Sequence, residues 1–448
     1  MSKQFDRRRF IKTTAVASAA AMFPYIRTSR AAGKLTVGFW DHWVPGANKV
    51  LEAICHEWAA KNKVDLNIDF ITSQGNKLEL TFAAEAQARS GHDILQPLAW
   101  TPAAYADKLE PMDDLMAESI KSNGQVSQVV SYLSRKDGHW LAVPAVTGTQ
   151  VKPPCARIDL FKKFAGLDVT RMYPGSGGKP DKSLQDNWTW DTFLTVAEKC
   201  YKGGNPFGLG LGQTTDSVDW VGALFHAYGA ELVNEAGDIT VDSDKTRQVL
   251  EWTQRMVKVL PKDVFAWDDA SNNKSLISGQ ASLIMNPPSA WAVAKRDAPK
   301  VAAKCWTFQA PKGPLGRFVP GLPFFWTIWK WSPNKSAAKS LLAHLSKRDS
   351  VERLVTASGG YDIPSFAGLH NFKVWAEEGP PRGSVYNYPP QPGVIESIAG
   401  APAPVHVANM IYTQALYTKM VAKCTNEGQS IAQTIGWASK QLEAYTMM

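Results

Sequence analysis

No later segment of this sequence is apolar for long enough to cross a bilayer, and the Ala-rich stretch Thr13 to Phe23 spans only 11 residues, where a spanning helix needs about 20. A chain that spans the membrane as apolar helices is therefore not indicated. Cysteine is scarce and odd in number: the five, at 55, 155, 200, 305 and 424, have no metal-ligand spacing and cannot all pair. Five buried thiols are the expectation. The eight histidines form no paired metal spacing either. No Gly-x-Ser-x-Gly elbow occurs, since Ser176 and Ser358 both lack the first glycine. No phosphate loop is present, and Gly208-Leu-Gly-Leu-Gly212 lacks the spaced third glycine of a dinucleotide site. Asp113-Asp114 and Asp268-Asp269 read as solvated faces or caps. These absences leave open only an enzyme such as a glycosidase, which needs just two carboxylates that meet in space. No cofactor or metal is expected.

What the chain does have begins at its start. Asp6-Arg7-Arg8-Arg9-Phe10-Ile11-Lys12 carries the paired arginines, Phe and Lys of a twin-arginine export signal. The apolar stretch follows, then small residues at Ser29, Ala31 and Ala32 that suit cleavage. Residues 1–32 are thus expected to be a leader, with the mature chain in the periplasm. The leader holds a net +6 of the total +8, so the pI near 9.0 does not point to nucleic acid. The remainder is long enough for two domains. It also holds all 17 tryptophans, an excess that favours binding, because Trp presents an apolar face with a polar handle.

The mature chain opens with a strand, Leu35 to Phe39, followed by Trp40, Asp41, His42 and Trp43 and an amphipathic helix from Ala47. Val64 to Ile71 alternates as a second strand and ends in Thr72-Ser-Gln-Gly75; Asp93 to Ala99 is a third, ending at Trp100-Thr101. Three strand–loop–helix units in succession argue an α/β parallel sheet. Ligands of such sheets sit at the strand carboxyl ends, and each of these ends carries aromatic or polar residues. The competing reading packs Trp40 and Trp43 as core around the first turn. Further on, Thr189 is a helix N-cap candidate, Val233 to Val241 suggests a small hairpin, residues 371–404 read as loop, and Val405 to Thr446 as helical.

The order of these segments resembles the family 1 extracellular solute-binding proteins of ABC importers, the class that contains maltose-binding proteins. Ser90-Gly-His-Asp-Ile-Leu95, Asp137-Gly-His-Trp-Leu-Ala-Val-Pro144, Trp188-Thr-Trp-Asp-Thr-Phe193, Ser278-Gly-Gln-Ala-Ser-Leu-Ile-Met285, Ser332-Pro-Asn-Lys-Ser-Ala-Ala338 and Ser358-Gly-Gly-Tyr-Asp-Ile-Pro364 each resemble a family segment, in the family's order. His92, Asp107-Lys108 and Asn286-Pro-Pro depart from it near loops that face ligand. The resemblance implies a two-lobed periplasmic binding protein fold, each lobe a mostly parallel sheet flanked by helices, joined by a multi-strand hinge. It divides the chain into 33–146 with 306–352, and 147–305 with 353–448. It also implies capture of a small solute by hinge closure and delivery to a membrane permease, by a monomer that binds no nucleic acid and is not an enzyme.

Sugars offer apolar faces and hydroxyl rims, so aromatic plates with Asp, Asn, Gln and Thr would suit them. The candidate ligand-binding residues are Trp40, Asp41, Trp43, Gln74, Trp100, Thr101, Thr147, Thr149, Trp220, Asn286, Trp291, Trp326 and Tyr361, about half of them expected to touch ligand. Of the first two tryptophans, Trp43 is the one expected to face it. An organic cation caged by aromatics with Asp41 is the alternative ligand, and a secreted carbohydrate-active enzyme the alternative class.

Overall fold

The computed structural model describes residues 33–447 apart from 45, 175–177, 287–288 and 378–392; the expected leader, 1–32, lies outside the described residues. The first sheet grows from β1 (Lys34–Trp40), where Leu35, Val37 and Phe39 are fully buried. The chain then enters α1 (Ala47–Asn62), which buries Leu51, Ile54, Cys55 and Trp58 on one face and stops at Lys63 in a left-handed conformation. β2 (Asp65–Ile71) returns beside β1 in parallel register, Val37 opposite Ile68. After α2 (Lys77–Ala88), β3 (Ile94–Leu95) pairs with the other side of β1, also parallel. The parallel strand–helix–strand pattern expected at the start is present.

β3 is shorter than Asp93–Ala99. Past Pro97, which lacks a ladder donor, only a bridge of Leu98 to Phe324 continues the pairing before the chain turns into the short helix α3 (Thr101–Ala104). The first crossing is β4 (Val143–Val151), every residue of which is buried, followed by β5 (Pro154–Arg157). The second lobe then builds α4 (Trp190–Lys202), capped by Thr189, whose hydroxyl accepts the Thr192 N–H. It continues through α5 (Thr215–Tyr228), α6 (Asp244–Val257) and α7 (Ser271–Ile277) to β6 (Leu283–Met285) and β7 (Cys305–Thr307). β6 and β7 flank β5. This sheet is antiparallel throughout, unlike the mostly parallel one expected, because β5 comes straight from the crossing and runs against both helix-fed neighbours.

The two lobes are knitted by one strand. After β8 (Lys312–Gly313), β9 (Gly316–Ile328) runs 13 residues. Its middle pairs antiparallel with β4, Phe324 opposite Ala145. Its end pairs with β3, Thr327 opposite Leu95. α8 (Lys335–Leu345) and α9 (Arg348–Ala357) follow. β9's start pairs parallel with β10 (Val394–Ser397), Arg317 opposite Val394. Three helices close the chain: α10 (Val405–Thr413), α11 (Leu416–Thr425) and α12 (Ile431–Thr446).

Three expectations shift. Trp306, expected to begin the second stretch of the first lobe, sits in β7, opposite Ala156 of the second sheet. Arg353 is not at a crossing, since it lies within α9 and its guanidinium grips Glu57 of α1 at 2.8 Å. β10 stands inside the stretch expected to be loop. All five cysteines are buried and unbonded to one another.

Candidate ligand-binding cleft

A cavity of about 630 Å³ lies between the lobes, lined by residues of both and of the strands that join them. The first-lobe wall follows from strand ends. Trp40, the last residue of β1, is held by its backbone N–H on Gln96 Oε1 (3.2 Å) and by Nε1–H on Ser73 Oγ (3.2 Å). Its plate is thus fixed between two strand ends, with Trp43, Gln74, Asn76 and Glu79 beside it. The floor is the hinge: Gln150 and Lys152 at the end of β4, Leu322 and Phe324 of β9, and Tyr361. Tyr361 stacks on Trp40 with centroids 6.4 Å apart and 22° between planes, while Phe324 approaches Trp40 to 5.0 Å. The Tyr361 hydroxyl donates to Gln150 Oε1 at 2.9 Å.

The opposite wall comes from the starts of α5 and α7 and the end of β6: Thr215, Asp216, Asp268, Asp269, Asn273, Lys274, Asn286 and Ser289. Asn286 donates to Asn273 Oδ1 at 2.7 Å, so its amide is oriented by the same helix that carries Lys274. Below this wall, Lys152 Nζ is 2.7 Å from Asp216 Oδ1 and 2.6 Å from Asp219 Oδ2. Burial pushes the Asp216 carboxyl up to about 6 even though Lys152 opposes it. Burial also raises Asp219 and Glu79. For Lys152, burial works toward the neutral form, and Asp216 and Asp219 more than offset it. Asp268 is held low by the Ser271 hydroxyl. Lys152 is therefore consumed by its two partners, and the remaining charged groups on the cavity are Glu79, Asp268, Asp269 and Lys274. Among the described residues no group of His, Cys, Asp and Glu is arranged to hold a metal ion.

Of the residues picked out in the sequence, Trp40, Trp43, Gln74, Asn286 and Tyr361 line the cavity. The others do not. Asp41 is exposed and accepts from Asn48 Nδ2 at 2.7 Å. Trp100 and Thr101 leave the sheet too early; Trp100 is buried against Tyr132 (5.6 Å) and Tyr412 (6.0 Å), and Thr101 opens α3. Thr147 faces Gln96, which donates to its hydroxyl at 3.1 Å. Thr149 accepts the Phe324 N–H at 2.9 Å, a bond that fixes the two hinge strands. Trp220 is core on α5, its Nε1–H on Gly210 O at 2.7 Å. Trp291 is buried beneath Lys295, 5.1 Å above its ring. Trp326 points to the other face of the hinge, into a void of about 10 Å³ with Pro144 and Leu345.

Sequence reasoning passed over Glu79, Gln150, Lys152, Asp216, Asp268, Asp269, Asn273, Lys274 and Phe324. The Asp268-Asp269 pair was visible and does hold local backbone, Asp268 Oδ1 accepting from the Ser271 hydroxyl (2.5 Å) and the Ala270 N–H (3.1 Å) and Asp269 Oδ1 from the Asp216 N–H at the start of α5 (3.0 Å); nothing local signals that the pair also faces the cavity.

A profile of bacterial extracellular solute-binding proteins matches residues 53–379, well over half of the chain. The chain belongs to that family. It is accordingly a solute-binding protein rather than an enzyme. No curated protein matches it. Among solved structures, the maltose-bound MalE3 of T. maritima shares 18% identity at a TM-score of 0.70, covering 92% of this chain and 99% of that one. A sugar transporter from Arthrobacter chlorophenolicus A6 with bound laminaribiose shares 15% at 0.70, covering 92% and 99%. An ABC substrate-binding protein from Listeria monocytogenes in complex with cycloalternan shares 16% at 0.69, covering 92% and 98%. At these identities the likeness is one of fold, and it is the two-lobed α/β fold that the solute-binding protein was expected to have.

Proposed function

We propose that this solute-binding protein is the periplasmic capture component of an ABC importer and that its ligand is a carbohydrate. The observation that carries the reading is the cavity's make-up. Trp40, Trp43 and Tyr361 supply aromatic faces, and Gln74, Asn76, Asn273, Asn286 and the carboxylates of Glu79, Asp268 and Asp269 surround them with hydroxyl partners. The family match and the saccharides in the neighbours named above support it. The arginine pair of residues 1–32 supports twin-arginine export, and among the described residues no helix is long and apolar enough to cross a membrane. Bending at β4, β9 and the 358–364 segment would bring α5 and α7 onto the first-lobe wall around the ligand. The closed monomer would then dock on the permease. The lobes read as 33–146 with the later part of β9, α8 and α9, and 154–313 with the chain from β10 onward.

Thermal-shift screening of residues 33–448 against neutral mono- and oligosaccharides tests this. A ligand raises stability by RT ln(1 + [L]/Kd), about 2.7 kcal/mol at a hundredfold excess over Kd. An organic cation keeps a foothold through Glu79, Asp268 and Asp269, although Asp41 lies outside the cavity, so quaternary amines belong in the same screen. A shift with saccharides alone supports the carbohydrate reading. A shift with amines alone replaces it.

A further inference from the structure

Behind the cavity's aromatic plates lies a buried contact between His42 and Asp362, 320 residues apart in sequence. Their side chains are 1% and 0% exposed. His42 Nε2 stands 2.9 and 3.1 Å from the two Asp362 oxygens. Its other nitrogen, Nδ1, accepts the Val44 backbone N–H at 2.9 Å. An acceptor nitrogen carries no proton, so the proton is on Nε2 and is donated to the carboxylate. One ring therefore holds two things at once.

Through Nδ1 it folds back the 42–44 turn, which presents Trp43, 44% exposed, at the cavity rim. The same turn is tied to α1 by the His42 N–H on Asn48 Oδ1 at 3.1 Å. Through Nε2–H it holds Asp362, the neighbour of Tyr361. Asp362 also accepts the Gly148 N–H of hinge strand β4 at 2.8 Å. The imidazole touches both plates directly, 4.7 Å from Trp40 and edge-on to Tyr361 at 5.1 Å.

We infer that His42 is the positioning residue of the binding cleft: its two nitrogens separately set the Trp43 rim and the Tyr361 floor, and so the spacing of the aromatic faces that receive the ligand. The inference rests on the cavity being the ligand site. Two isosteres split the roles. His42→Asn keeps an acceptor near Nδ1 and loses the donor to Asp362; His42→Gln keeps a donor near Nε2 and loses the acceptor for Val44.

The test uses protein labelled with 5-fluorotryptophan, with the Trp40 and Trp43 signals assigned by Trp40→Phe and Trp43→Phe. In unliganded protein, both His42 variants are expected to move the Trp40 signal, since each removes the ring 4.7 Å from it, and His42→Gln is expected also to move and sharpen the Trp43 signal. His42→Asn is expected to leave Trp43 in place. Asp362→Asn, which keeps the side-chain volume, is expected to follow His42→Asn. Each variant should bind the saccharide that most stabilises the wild type about tenfold more weakly. A Trp43 signal that moves in both His42 variants, or in neither, overturns the assignment. If no saccharide binds the wild type, the carbohydrate reading falls, while the fluorine spectra still decide the role of His42.

Discussion

Lys152→Met removes the cation held between Asp216 and Asp219 at the base of the second-lobe wall. The lysine side chain is 2% exposed, and its partners 12% and 0%, so water does little to replace it. Stripping the partner from buried charges of this kind costs about 3–5 kcal/mol. At about 2.1 cal/mol/K per residue, melting of about 400 residues carries an entropy on the order of 0.8 kcal/mol/K, so the loss corresponds to roughly 4–6 °C in Tm. The pH dependence gives the sharper test. The Asp216 carboxyl is raised to about 6 in the folded protein against an ordinary 3.8, so the native state holds this proton more tightly than the unfolded chain. Stability from this group therefore falls as pH rises through that window. Without Lys152 the carboxyl rises further and the loss extends to higher pH. Melts followed by circular dichroism should show the largest deficit at pH 8 and a smaller one at pH 5. Lys152→Met with Asp216→Asn and Asp219→Asn should regain most of it, since no buried charge is then left unpaired. A Lys152→Met protein as stable as wild type at pH 8, or one whose deficit grows on acidification, would refute the reasoning.

Trp43→Ala should leave the melting temperature nearly unchanged and weaken ligand binding about two- to tenfold, as loss of an aromatic contact worth ~0.5–1.5 kcal/mol implies; Trp100→Ala should do the reverse, costing about 3–5 kcal/mol of stability with Kd unaltered by calorimetry. Gly148 has φ +90° and an added Cβ would stand 2.8 Å from the Phe324 ring. Gly148→Ala should thus destabilise by about 1–3 kcal/mol, with weaker binding as Phe324 is displaced at the cavity floor. Burial works to lower the His92 pKa, but hydrogen bonds to Glu85 and Asp69 raise it overall. Its stabilisation is present below pH 6.5 and lost as pH rises through the folded value, so urea titrations of His92→Gln should show a deficit at pH 6 that closes by pH 9.

Period and caps made much of the first lobe legible. Leu35–Phe39 and Val64–Ile71 alternate as strands do, Ala47 onward repeats at helical spacing, and Thr189 is a cap by its chemistry. β9 was not legible as a strand, because Pro320, Pro323 and Gly321 lie inside it and argue against a ladder. It forms because its register against β4 shifts between Leu322 and Phe324, which lets Pro323 sit where no donor is needed. At the cleft, Trp40 and Trp43 could be read from a strand end. Trp100 could not, because its strand stops five residues earlier, at Leu95. The second-lobe carboxylates were hidden for a different reason: helix starts of α5 and α7 meet only in three dimensions, and a capping aspartate looks the same whether it faces solvent or ligand.

The long strand β9 also dictates how the molecule can be made. Residue 327 seals the edge of β3, 232 positions earlier, and residues 321–326 seal β4. Until β9 is available, the first lobe has every helix-forming segment up to α3 and yet two open strand edges. Contacts so distant in sequence are slow to find, and open edges invite pairing with other chains. A polypeptide cut anywhere before β9 should therefore self-associate rather than yield a free-standing lobe.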